Sequence, residues 1–121
     1  TGAVEKHAIA SLMHEASALA LASAYEGLSH VLLEGMAHGL PIIASNIAGN
    51  RELIQNNSNG WLVEVGDVQG FASAISECLG DMKTAHAYGR VNRAWATEHS
   101  VDHQVERTLE VCFEAVRNRR N

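Results

Sequence analysis

ALALASAYEGLSHVLLEGMAHGLPIIA, residues 18–44, is the stretch whose reading decides the fold. It opens on the apolar run Ala18-Leu19-Ala20-Leu21-Ala22, which periodicity alone assigns equally to helix or strand. Context selects strand. Gly27 and Ser29 follow as loop residues, and Val31, Leu32, Leu33, Met36 and Ala37 then fall at helical spacing until Gly39 and Pro41 stop it. Ser29 is the expected N-cap. Pro41-Ile42-Ile43-Ala44 is apolar on both parities and β-branched at its centre, the mark of a strand covered on both faces of a parallel sheet. The stretch therefore reads strand, loop, helix, strand.

Outward from it the alternation continues. Residues 4–14 carry Val4, Ala8, Ile9, Leu12 and Met13 near one face and predict a first helix. After residue 44, a loop is expected over residues 46–50 and a short helix over 51–55. The turn-rich Asn56-Asn57-Ser58-Asn59-Gly60 then precedes a strand at residues 61–63. Past Gly66-Asp67 the pattern is helical in three pieces, residues 69–79, 82–98 and 101–117, with Ser100 capping the last. The expected class is α/β: a partial Rossmann-like parallel sheet of about three strands flanked by helices. Three strands are few for such a sheet, so residues 1–121 are expected to be the latter part of one domain, with upstream strands elsewhere in a parent protein. The apolar run at residues 18–22 would then lack a neighbour, and a homo-oligomer paired through Ala18 to Ala22, or cover by another segment, is expected.

Composition narrows the function. The chain has 121 residues, 46% hydrophobic and 19% charged, ordinary for one globular domain. Nine Lys and Arg against fourteen Asp and Glu give a net charge of −5, so sequence-independent nucleic-acid binding lacks electrostatic support. No apolar run approaches the roughly 20 residues of a membrane-spanning helix. Two cysteines, Cys78 and Cys112, make no disulfide scaffold, and a cytoplasmic setting, with the parent peripheral at a membrane as a compatible placement, is expected. No metal site or cofactor is expected: His99 and His103 have i, i+4 spacing but no third ligand, and neither cysteine belongs to a CxxC. Ser23, His30 and Glu26 lack the GxSxG turn of a hydrolase nucleophile. Asn56-Asn57-Ser58 is a formal glycosylation acceptor that matters only in a secreted protein. Trp61 and Trp95 are expected in the core, Trp61 under the last helices.

Chemistry is expected where strand gives way to helix after residue 22. Helix-start amides and the positive dipole end suit an anion, and Gly27 permits close approach to the backbone. Glu34 stands one turn inside, able to reach a ligand held at the helix start or to serve a capping box. The pattern is neither GxGxxG nor GxxxxGK[ST]. It does resemble a family: residues 25–43, with Glu26 and Glu34 at EX7E spacing, are similar to the signature region of the family 4 retaining glycosyltransferases. The likeness continues through Ala48-Gly49-Asn50-Arg51-Glu52, Asn59-Gly60-Trp61-Leu62-Val63 and Gly66-Asp67, over residues 4–116.

The resemblance implies a GT-B architecture, of which this chain would be the latter half of the C-terminal, donor-binding domain. It implies transfer of a sugar from a nucleotide-diphosphate donor to an acceptor hydroxyl with retention. Glu26 would be the catalytic residue, facing the donor sugar. Backbone amides of Gly27, Leu28 and Ser29 would hold sugar hydroxyls, amides near His30 and Val31 would meet the diphosphate, and Glu34 would bind the ribose diol. An ionised carboxylate accepts from two hydroxyls, and helix-start amides suit a diphosphate without a metal. This sequence departs from the family at Leu28, where an aromatic is usual, at Ser29 (Gly), His30 (Leu) and Gly35 (Ala), and it has no Pro before Ser23. The family's Arg and Lys pair lies upstream of the region present, so the isolated chain is expected to be inactive. The rival class is a free-standing α/β interaction module; a receiver-like one would need an Asp at a strand end, and none is expected here.

Overall fold

The computed structural model describes residues 6–23 and 30–99. In chain order these form α1 (Lys6–Glu15), β1 (Leu19–Leu21), α2 (His30–Ala37), β2 (Ile42–Ser45), α3 (Ala48–Arg51), β3 (Gly60–Val63), α4 (Val68–Gly80) and α5 (Met82–His99). The strands make one parallel sheet in the order β1-β2-β3, with Leu19 opposite Ile42, and Ile42 opposite Gly60. All four residues of β2 are buried, as expected of an inner strand with layers on both faces.

Period-two alternation divides the core into two layers. Ile42 and Ala44 pack with Leu32 and Met36 of α2, with Ile54 and with Ala96 of α5. Ile43 packs on the other side with Trp61, Val63, Ala74 and Cys78, and with Ala85 of α5. Helix α5 therefore serves both layers, and it crosses from one to the other at the amino ends of the strands. Gly89 makes the crossing possible, because a Cβ there would collide with the Gly39 carbonyl oxygen. Asn92, fully buried, pins it: Nδ2 donates to the carbonyl of Leu40 at 2.8 Å and to that of Asn59 at 2.9 Å.

The predicted stop of α2 is a Schellman turn. Gly39 (φ 75°) donates its N–H to Met36 O at 3.0 Å and Leu40 donates to Gly35 O at 3.1 Å, satisfying carbonyls the helix end leaves open. Asp67 caps α4, its Oδ1 accepting the Gly70 N–H at 2.8 Å.

One expectation fails. The short helix expected over residues 51–55, after a loop at 46–50, is instead α3, Ala48–Arg51. The cause is Asn50, read as a loop residue but buried within the helix: its Nδ2 turns back to Ser45 O at 2.9 Å, and its carbonyl accepts the N–H groups of Leu53 and Ile54. Those two bonds close the turn, so residues 52–55 lead away from the helix toward β3. The sequence-predicted helix over residues 101–117, its cap Ser100, the beginning of the first helix at Val4 and Glu5, His103 and Cys112 lie outside the described residues.

Candidate functional site

In a parallel sheet, ligand sites form beyond the carboxyl ends of the strands. Here those ends are Leu21, Ser45 and Val63, and α2 begins nearby at His30. Leu32, Leu33, Gly35 and Met36 of α2 are buried. That leaves His30, exposed, Val31, 43% exposed, and Glu34, half-buried, on the helix face turned from the core. The structure thus brings three of the expected donor-binding residues together at the start of one helix. Glu26, Gly27, Leu28 and Ser29, the rest of the expected set, lie outside the described residues. Gly35 permits a close fit beneath: a Cβ there would come 2.5 Å from Leu19 Cδ2.

At the carboxyl ends of β2 and β3 stands a polar group to which the sequence assigns no role. Asn46 donates its backbone N–H to Val63 O at 2.7 Å and its Nδ2 to Glu64 Oε1 at 2.7 Å. Arg51 donates to Asn46 O at 3.3 Å and to Asn46 Oδ1 at 3.2 Å. Ser45 Oγ lies 3.5 Å from Leu21 O, a long contact that joins the ends of β1 and β2. Polar residues directly after an apolar strand were the available signal; their partners come from neighbouring strands and are invisible along the chain.

Other candidates resolve into structure. Trp61 is buried and packs on Tyr88 of α5, ring centroids 4.9 Å apart and planes at 53°. Trp95 is half-buried and stacks on His99 at 4.1 Å. Burial pushes the Cys78 thiol above its ordinary pKa, which suppresses the thiolate and leaves it a packing residue. Among the described residues no group of three His, Cys, Asp or Glu could hold a metal ion, and no helix is long and apolar enough to cross a membrane. Two open grooves, one lined by Leu53, Val91 and Trp95 and the other by Glu64, Asp67 and Glu77, include residues of β3 but not His30, Val31 or Glu34.

Comparison with known proteins bears on this geometry. The sequence profile of the family described as glycosyl transferases group 1 matches residues 1–95. A GDP-mannose-dependent alpha-(1-6)-phosphatidylinositol monomannoside mannosyltransferase from Mycobacterium tuberculosis is 42% identical over 72 residues, covering 60% of this chain and 19% of that protein. Among solved structures, Anabaena HepE in complex with UDP-glucose shares 28% identity at a TM-score of 0.74, over 85% of this chain and 30% of that one. Sucrose-phosphate synthase from Thermosynechococcus elongatus shares 26% identity at a TM-score of 0.75, over 95% and 30%. The chain thus spans less than a third of each of these relatives. Three parallel strands flanked by helices are the α/β arrangement it shares with these GT-B structures.

Proposed function

The chain belongs to the glycosyl transferases group 1 family, and from that premise we propose that residues 1–121 are the latter part of the donor-binding domain of a retaining, family 4 glycosyltransferase. The observation that carries the reading is the likeness to HepE, whose structure holds UDP-glucose, over 85% of this chain. Its donor is a nucleotide-diphosphate sugar, its product a glycoside of an acceptor hydroxyl, and catalysis needs parts of the protein beyond this chain.

The site has its positive end at the start of α2, where unpaired amides near His30 and Val31 face the diphosphate. Glu34, one turn further and outside the packed face, accepts from the ribose hydroxyls. Glu26 faces the sugar, and the backbone of Gly27, Leu28 and Ser29 holds its hydroxyls. Helix-start amides and the positive dipole end favour an anion at this place. The reaction breaks the bond between the anomeric carbon and the diphosphate oxygen and forms one to the acceptor oxygen on the same face, the acceptor's hydroxyl proton leaving with the nucleoside diphosphate. Nucleotide-activated sugars and a free buried thiol fit a cytoplasmic setting. Strand β1 pairs with β2 alone among the described residues, so its outer edge is filled by an upstream strand of the same domain or by a second copy.

Titration calorimetry of the gene's full product against UDP-, GDP- and ADP-linked sugars tests the reading. Saturable binding of one of them is expected, together with an anomeric configuration in the product, read by NMR, that matches the donor. Binding to none would end the donor-site assignment; an inverted product would end the retaining one.

A further inference from the structure

Among the described residues two asparagines are fully buried, Asn50 and Asn92, and each keeps an Oδ1 without a partner. Burying an unpaired amide oxygen costs about 1–3 kcal/mol, so each residue must be judged by what its Nδ2 holds in place. Asn92 holds the carbonyls of Leu40 and Asn59, which lead into β2 and β3 at the amino ends of the strands. Asn50 holds the carbonyl of Ser45, the last residue of β2, at the opposite ends.

From Ser45 the connection runs on: its Oγ approaches Leu21 O, the end of β1, from which the chain proceeds to residues 22–29 and then to His30. On the other side, Asn46 joins the same turn to Val63 and Glu64, and Arg51 braces Asn46. Helix α3 has no side-chain cap; the bonds made by Asn50 set its start and its end. A single buried amide therefore fixes the turn that spans the carboxyl ends of all three strands.

We infer that Asn50 is a positioning residue for the donor site, acting through Ser45 on the end of β1, whereas Asn92, of equal burial and chemistry, is a pin for the fold alone. The inference rests on the donor-site reading given above. A sugar nucleotide held by backbone amides is sensitive to where those amides stand, and weakening two of their hydrogen bonds is enough to cost about 10-fold in affinity.

The test uses the gene's full product and the sugar nucleotide it binds most tightly from the UDP-, GDP- and ADP-linked set. Asn50→Leu, Ser45→Ala, Ser45→Thr and Asn92→Leu are compared by thermal unfolding and, at a temperature where each is folded, by calorimetric affinity. Asn50→Leu and Ser45→Ala are expected to bind about 10-fold or more weakly, Ser45→Thr to recover most of that loss by restoring the hydroxyl, and Asn92→Leu to unfold at lower temperature with its affinity intact. Wild-type affinity in both Asn50→Leu and Ser45→Ala overturns the inference, as does Ser45→Thr binding no better than Ser45→Ala. Should Asn50→Leu fail to fold, the Ser45 pair decides alone. Silent variants on a wild type that binds contradict only this inference; a wild type that binds no sugar nucleotide contradicts the donor site itself.

Discussion

The two ends of the sheet are built on opposite principles. At the amino ends main chain meets main chain with no room to spare: a Cβ at Gly60 would strike the carbonyl oxygen of Ile42, and one at Gly89 that of Gly39. Asn92 closes the gap with two hydrogen bonds to carbonyls 52 and 33 residues away in sequence. At the carboxyl ends the surface is polar, with half-buried Asn46 joined to exposed Arg51 and Glu64. Close packing supplies stability and tolerates no added atom. Polar groups that are exposed and oriented contribute less to stability and leave donors and acceptors where a ligand can meet them. Damage at one end should therefore appear as lost stability, and at the other as lost binding.

The largest effect is expected from Asn92→Leu, which leaves the Leu40 and Asn59 carbonyls unpaired in the core. A loss of about 2–4 kcal/mol in unfolding free energy is expected by denaturant titration. If stability barely changes, the amino-end pin is not what joins the two layers. Gly89→Ala comes next, because the obstructing atom is backbone and α5 must move off Gly39. About 1–3 kcal/mol is lost, after allowance for the roughly 1 kcal/mol by which Ala favours a helix. Gly35→Ala sharpens the contrast: its obstacle is the end of the Leu19 side chain, which can rotate, so the cost should stay below about 1 kcal/mol. A loss as large as that at Gly89 would mean that β1 and α2 are as tightly constrained as the amino end.

How much of this the sequence carried follows the same division. Strand β2 was legible because burial on both faces leaves an apolar run without alternation, and the end of α2 because Gly39 and Pro41 punctuate it. The place of His30, Val31 and Glu34 at the start of α2 was legible because the apolar positions from Val31 to Ala37 fall at helical spacing; their role toward a donor belongs to the proposal. The amino-end contacts were not, since nothing near Gly89 or Asn92 in the chain announces Gly39 or Asn59. Helix α3 was misplaced for a related reason: Asn50 looks like a turn residue, and only Ser45 O, buried beside it, shows why it sits inside a helix. The Asn46–Glu64 bond depends on β2 and β3 being neighbours, which is a property of the sheet.

The smallest effect concerns Asp81, outside both ends. The Thr84 hydroxyl and then the Thr84 N–H hold its carboxyl below the usual carboxylate range, at the start of α5. A depressed folded-state value means that this cap contributes above the unfolded-state pKa and is lost as pH falls through the folded one. Asp81→Asn should therefore lose this small contribution near neutrality and converge on the wild type as pH falls, which flattens a little of the acid limb of the stability curve. An equal difference from wild type at every pH would show that the carboxylate charge plays no part in the cap.

The direct test of the division is a pair of variants in the gene's full product, Glu34→Ala and Gly89→Ala, each measured for sugar-nucleotide affinity by calorimetry and for unfolding free energy. Glu34→Ala is predicted to bind about 1–3 kcal/mol more weakly, having lost an acceptor for the ribose hydroxyls, with its unfolding transition unchanged. Gly89→Ala is predicted to unfold more easily and, while folded, to bind as the wild type does. Undiminished affinity in Glu34→Ala, or a loss of affinity in folded Gly89→Ala as large as that in Glu34→Ala, would contradict the account.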